Sequence, residues 1–269
     1  METPTVLGII AGSGVYPQLL AQSARRAGIE RIVAAAFTGE TDVKLATLVD
    51  QIEWMRVGQL GRLLNYFTSA GVHHAIMAGQ IAPKNLFDLR PDMKAFVVIA
   101  RLKRRNAESM FGAIGDELHK AGVELLPATS FMERFLATKG PIAGRPLSRR
   151  EETDVEFGFA IAKEISRLDI GQTVVVKGGT VLAVEAFEGT DEALKRGAAF
   201  ARSGAVVVKV SKPNQDLRFD VPVVGVATVR AAAEAKARVI AVEAGRTLLL
   251  EKDELCDLAA RSGISVLAR

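Results

Sequence analysis

The chain has 269 residues, 49% of them hydrophobic, with 35 Lys and Arg against 31 Asp and Glu and a formal net charge of +4. That apolar fraction excludes global disorder, and the length suits two domains. The single cysteine, Cys256, excludes an internal disulfide and fits a reducing compartment.

Aromatic residues are 6% of the chain and are not interleaved with the basic ones, so no nucleic-acid partner is expected. The mild basic excess suits an acidic ligand, either a phosphate ester or an anionic membrane surface. Met1 leads through Glu2-Thr3-Pro4 into a short strand. No signal peptide is expected, and no apolar run approaches the roughly 20 residues that span a bilayer. The expected compartment is the cytoplasm.

In chain order, residues 6–11 predict a strand, and 16–27 predict a helix with Pro17 in its first turn and Gly28 as its stop. Segments 32–37 and 52–57 read as further strands. Leu60, Leu63, Leu64 and Phe67 have the spacing of a helix face, which Gly71 ends. A strand at 74–78, a helix striped by Met110, Phe111, Ile114 and Leu118, and a strand at 123–126 follow. Strands alternating with helices predict a mostly parallel, doubly wound sheet. The Gly- and Pro-rich stretch 139–146 offers little to build a regular element, and Ser148 and Glu151 have capping-box spacing for a helix reaching about Leu168. These features place a domain boundary near residue 132. The fold class expected is α/β in two domains: a Rossmann-like parallel sheet in 1–132 and an α/β catalytic domain with a mixed sheet in 133–269.

The second half reads as a hairpin (174–187, turning at Gly178-Gly179), a helix (192–202), strands at 206–210 and 223–226, and a helix at 228–237. A second hairpin at 239–250, turning at Ala244-Gly245, a helix at 252–261 and a strand at 264–267 complete it.

Four segments carry groups suited to chemistry. Gly12-Ser13-Gly14 joins the first strand to the first helix, where glycines admit a ligand and the helix N-terminus offers N–H groups to a phosphate. A dinucleotide fingerprint needs a third glycine where Pro17 stands, and an acid after the second strand, which ends Ala36-Phe37-Thr38. Gly79-Gln80, with Lys84 beyond, leaves another strand on the same edge. Leu182 to Asp191 forms an acidic constellation in which Glu185 and Glu188 end a strand and Thr190 or Asp191 is a natural N-cap. The densest segment is Lys212-Pro213-Asn214-Gln215-Asp216-Leu217-Arg218-Phe219-Asp220, between two valine-rich runs. Its paired carboxylates and cations at a strand end suggest metal-assisted chemistry on an anion. The run Arg101-Leu102-Lys103-Arg104-Arg105 reads as a solvated helix end or as a contact for phosphates or lipid head groups. His73, His74 and His119 read as structural, and Cys256 as a small core residue.

These motifs, together with Leu7 to Gly14 and Pro17, Ala78-Gly79-Gln80 and Pro222 with Gly225, resemble the LpxI-type UDP-2,3-diacylglucosamine pyrophosphatases along essentially the whole chain. The resemblance implies two α/β domains with the ligand between them. It also implies a Mg²⁺-dependent (or Mn²⁺-dependent) hydrolase of lipid A biosynthesis that cleaves UDP-2,3-diacylglucosamine to lipid X and UMP. The implied metal-site aspartate falls on Asp216 or Asp220, with Asp191 and Glu188 as further metal candidates. Asp216, Asp220, Arg218 and Lys212 are the catalytic candidates. Substrate contacts are expected from Gly12, Ser13, Gly14, Gly79, Gln80, Lys177, Gly189, Thr190 and Gln215. The Phe- and Met-rich segment 86–111 is a candidate acyl groove. The expected partner is a nucleotide-linked acylated sugar, with peripheral inner-membrane contact and homodimerisation both open. The alternatives are an NAD(P)-linked oxidoreductase and a non-catalytic nucleotide or lipid carrier.

Overall fold

The protein's structure, a computed structural model, describes residues 4–81, 91–102, 107–213 and 215–269. Lys84, Lys103 to Arg105 and Asn214 lie outside the described residues, as does part of the candidate acyl segment. The chain forms two compact units: Met1–Glu133 with Asp216–Asp220, and Arg134–Gln215 with Val221–Arg269.

The first unit is built on β1 (Val6–Ala11), β2 (Arg31–Phe37), β3 (Gln51–Met55), β4 (His74–Ala78) and β5 (Glu124–Leu125), in the order β3-β2-β1-β4-β5, all parallel. Strands β1 and β2 are near-continuous apolar runs, as strands covered on both faces must be. Helices α1 (Tyr16–Arg26), α2 (Leu60–Ser69), α3 (Met93–Arg101) and α4 (Ala107–Lys120) accompany them. Leu60, Leu63, Leu64 and Phe67 of α2 pack on Ile10, Val33 and Met77, so the helix face read from spacing is the buried face. Strand order reverses between β1 and β4, the place where doubly wound sheets hold ligands.

Both strands end there in glycine turns that lock together. Gly12 N donates to Ala78 O (2.8 Å), Ser13 N to Gln80 O (2.7 Å) and Gln80 N to Ser13 O (3.2 Å), and the Ser13 hydroxyl adds a bond to Gln80 O (2.9 Å). A Cβ on Gly12 would stand 2.4 Å from Gln80 O, and one on Gly79, at φ +90°, 2.5 Å from Ser13 O. Backbone therefore fills the room that these two glycines leave. Gly14, at φ +86°, has open space beside it.

The second unit holds β6 (Gly140–Ala143), β7 (Thr173–Lys177), β8 (Thr180–Val184), β9 (Ala205–Lys209), β11 (Ala237–Val242) and β13 (Ser265–Ala268) in a mixed sheet ordered β6-β13-β11-β9-β7-β8. Strands β10 (Val223–Val224) and β12 (Leu248–Leu249) form a separate parallel pair. Helices α5 (Arg149–Arg167), α6 (Thr190–Ala201), α7 (Val226–Glu234) and α8 (Lys252–Arg261) complete it. The Ser148–Glu151 capping box is formed at the start of α5, and β7 and β8 make the expected antiparallel hairpin.

Three local expectations are corrected. The 239–250 hairpin does not form: β11 lies between β9 and β13, parallel to both, so both its edges are satisfied, and Leu248–Leu249 pairs with β10 instead. The stretch 139–146 does contain a strand. Pro141 is tolerated in β6 because this is the edge of the sheet, antiparallel to β13. The N-cap of α6 is Gly189, at φ +86°, which leaves the Thr190 side chain available for other use.

The steric lock at the switch point predicts a graded response to alanine. Gly79→Ala should destabilise by more than about 2 kcal/mol, through forced positive φ and a backbone clash, whereas Gly14→Ala should cost about 1 kcal/mol from φ alone. Urea unfolding of both variants checks the order.

Candidate active site

Segment Asp216–Asp220 was expected in the second domain, but it packs with the first unit. Ala128 N donates to Leu217 O (2.6 Å), and the Phe219 ring tilts on Phe111 with centroids 5.8 Å apart. Arg218 stands beside Gly115 and near Asp116. A run of short contacts along one turn, with aromatic burial at its centre, holds the segment there.

Within it the two aspartates are used differently. Asp216 Oδ1 accepts from Arg218 N (3.1 Å) and Nε (2.9 Å), and Oδ2 accepts from Arg218 Nη2 (2.7 Å). The carboxylate thus closes an Asx turn and forks the guanidinium at once. Asp216 O also accepts from Asp220 N (3.0 Å), completing a helical turn. The Arg218 guanidinium holds the Asp216 carboxyl below its usual range. Asp220 comes at the end of this turn and lines a cavity of about 320 Å³.

That cavity opens at the carboxyl ends of β1 and β4. Its wall is apolar: Ile10, Leu63, Met77, Ala95, Ile99, Leu102, Phe111, Ile114 and Phe219 contribute. Polar lining comes from Gln59, the Gly79–Gln80 turn and Asp220. Its volume lies at the lower end of the roughly 300–1,000 Å³ typical of ligand sites. Gly12 and Gly79 belong to the lining, while Ser13 is committed to Gln80. Ala95, Val98, Ile99, Leu102, Met110 and Phe111 of the candidate acyl segment line it as well.

The remaining candidates lie in the second unit. At the carboxyl end of β9, Lys209 Nζ donates to Thr190 Oγ1 (3.0 Å), whose hydroxyl donates to Glu185 Oε1 (2.8 Å). Glu188 pairs with Arg196; its own backbone N–H and that guanidinium hold its carboxyl low. Asp191 is exposed in the first turn of α6. Lys212 Nζ pairs with Asp169. Lys212 N donates to Gln215 Oε1 (2.8 Å), and Gln215 Nε2 is buried without a hydrogen-bond partner among the described residues. Lys177 is set apart. Strand β7 runs antiparallel to β9, so Lys177 lies at the opposite end of the sheet. There its ammonium caps α6, donating to Ala201 O (2.9 Å) and Ser203 O (2.8 Å). Among the described residues no three metal-capable side chains form a cluster.

Sequence reading missed a further group. Glu243 follows β11 directly, and its Oε2 accepts from Lys163 Nζ (2.6 Å), Ser211 Oγ (2.6 Å) and Ser211 N (2.9 Å). It anchors the start of the Lys212 segment. Its position just past a parallel strand was the available signal. Burial opposes ionisation of Glu243, but the Lys163 ammonium and the Ser211 donors outweigh it and hold the carboxyl below its usual range.

A Rossmann-like unit with an apolar cavity and a carboxylate at its switch point, joined to a mixed-sheet α/β unit, defines a two-unit α/β ligand-binding protein. Residues 6–135 match the LpxI N-terminal domain and residues 138–267 the LpxI C-terminal domain. The UDP-2,3-diacylglucosamine pyrophosphatase LpxI of Caulobacter vibrioides is 32% identical over 273 residues, covering 97% of this chain and 96% of that protein. The chain belongs to the LpxI family. Among solved structures, the biotin carboxylase domain of the Hydrogenobacter thermophilus 2-oxoglutarate carboxylase aligns with 72% of this chain and 41% of its own length. At 13% identity and a TM-score of 0.28, that alignment carries no argument.

Because the Asp216 and Glu243 carboxyls are depressed in the folded state, each stabilises the protein above the ordinary carboxylate range near pH 4. That contribution is lost as pH falls through the depressed values. Glu243→Gln should cost about 1–2 kcal/mol at neutral pH and should flatten the decline in stability toward pH 3. Urea midpoints measured across that range test both.

Proposed function

We propose that the protein hydrolyses the diphosphate of UDP-2,3-diacylglucosamine, giving lipid X and UMP, the activity named for its Caulobacter relative. The observation that carries this reading is the amphiphilic cavity of the first unit, mostly apolar in its lining, with Gln59, Gln80 and Asp220 as polar members. A substrate with acyl chains and a charged diphosphate matches both halves of that lining. The wall takes an acyl chain and excludes water from it, leaving the sugar phosphates near Asp220.

Mg²⁺ is part of the proposal. A hard cation that keeps several waters needs one or two carboxylates besides phosphate oxygens, so the absence of a three-ligand cluster among the described residues is compatible with it. Asp220, which lines the cavity, is the carboxylate proposed for that role, with Asp216 holding Arg218 beside it. When bound, the ion offsets charge on the diphosphate oxygens. Asp216 orients Arg218, and the guanidinium is the fork for a phosphate oxygen. In the second unit, Lys209 and Thr190 hold hydrogen-bond donors beside Glu185, and Gln215 Nε2 is a donor without a protein partner among the described residues. These are the polar groups that the second unit offers an anionic ligand. Lys212 keeps a supporting role through Asp169.

An oxidoreductase reading is disfavoured by geometry. The Gly12 turn that would cradle a dinucleotide pyrophosphate is closed against Gln80, and Pro17 stands at the third glycine position.

Release of UMP and lipid X from UDP-2,3-diacylglucosamine, followed with and without Mg²⁺, is the test. Asp220→Ala should lose at least about 10²–10³-fold in kcat while remaining folded, by analogy with other charge-stabilising groups. Asp216→Asn should fall less, and mainly through KM. Near-normal turnover by Asp220→Ala would remove the assignment, and tight binding without turnover by the unmodified chain would favour a carrier.

A further inference from the structure

Helix α3 is apolar on two sides. Its inner residues Ala95, Val98 and Ile99 line the cavity, with Leu102 at its C-cap. Met93, Phe96, Val97, Ala100 and Arg101 follow the i, i+3, i+4, i+7, i+8 spacing of one helix face, and all five are exposed, Met93 at 79% and Phe96 at 59%. A helix on a water-facing surface should be polar on its outer side, and here that side carries a thioether, an aromatic ring and a valine. The charged residues of the segment are placed at its edges. Asp92 caps the N-terminus, accepting from Ala95 N (2.8 Å) and Gly61 N (2.7 Å), so its charge is spent on the helix start. Lys94 is paired with Glu117 (2.5 Å). Arg101 ends the apolar face and opens the sequence run Arg101-Leu102-Lys103-Arg104-Arg105.

We propose that the outer face of α3 docks the protein onto an anionic lipid bilayer, with Met93, Phe96 and Val97 entering the interface and Arg101 contacting lipid phosphates. An apolar stripe ending in cations is the composition of interfacial helices, and the +4 net charge favours the same surface. The choice of a bilayer over a protein partner rests on the hydrolase reading: an acylated sugar nucleotide resides in a membrane, and the helix that would touch that membrane also walls the apolar cavity. An acyl chain leaving the bilayer beside α3 would pass from one apolar face of the helix to the other.

Flotation of the full chain with substrate-free vesicles of phosphatidylglycerol and phosphatidylcholine tests the docking without requiring catalysis. The unmodified protein should float, and raised salt should weaken it. The double variant Phe96→Ser/Val97→Ser should lose about tenfold or more in partitioning, and Arg101→Glu a comparable amount on anionic vesicles. Thermal melting and turnover of detergent-dispersed substrate should be unchanged in both. Failure of the unmodified protein to float, or equal flotation by the variants, overturns the proposal. So does a change in oligomeric state of the double variant by sedimentation velocity without any vesicle binding, which would make this face an interface between copies. A protein that floats as described but does not turn over dispersed substrate keeps the docking surface and overturns the hydrolase reading instead.

Discussion

At the carboxyl ends of β1 and β4, backbone meets backbone with no side chain between them. The bonds joining Ser13 and Gln80 are possible only because Gly12 and Gly79 lack a Cβ. The switch point of a parallel sheet is a natural opening, and here it is drawn shut on the side of the glycine turn. The open volume lies under α3 and α4, against the apolar face of the sheet. A ligand for this unit therefore meets a hydrophobic wall with a few polar groups at its edge, rather than a phosphate cradle. That closure, with Pro17 in place of a third glycine, separates this turn from a dinucleotide cradle.

Against that wall, Asp216–Asp220 is organised by a single carboxylate. Asp216 uses its oxygens on the Arg218 backbone and guanidinium and its carbonyl on Asp220 N, and Phe219 anchors the turn on Phe111. The result is a preorganised turn, in which one aspartate stiffens the chain and the other stands at its end in the cavity lining. Preorganisation of this kind lets a charged group act without reorganisation when charge develops nearby. In the second unit, Glu243 does comparable work for Ser211, and Thr190 relays between Lys209 and Glu185. In each case a carboxylate accepts hydrogen bonds from cations or hydroxyl donors.

Much of this architecture was legible in the sequence. The β-branched runs and the Leu60–Phe67 stripe dictate burial by periodicity, so the five-stranded sheet and its helices follow from local pattern. The Ser148–Glu151 box and the Gly178-Gly179 turn are equally local, because each satisfies its own hydrogen bonds within a few residues. The resemblance carried by the Gln215-Asp216-Leu217-Arg218-Phe219-Asp220 motif led to the family. The apolar content of 93–102 was also visible, although periodicity alone does not tell a helix that faces a core from one with two apolar faces.

What the tertiary structure decided depends on pairings far apart in the chain. Strand β11 looked like half of a hairpin, yet its two edges go to β9 and β13, because a central strand with two parallel neighbours satisfies more backbone than a local turn does. The stretch 139–146 became a strand only because β13 left an edge where proline is tolerated. Lys177 reads as a site lysine until the antiparallel run of β7 carries it to the far end of the sheet. The roles of Asp216 and Asp220, four residues apart and chemically identical, part only when Arg218 and Phe111 are in place. Sequence by itself determined which segments are apolar enough to be buried, where the local caps and turns fall, and which family the chain resembles. Partners, edges and the direction each side chain faces were decided by the fold, because those are set by long-range contacts that no local spacing encodes.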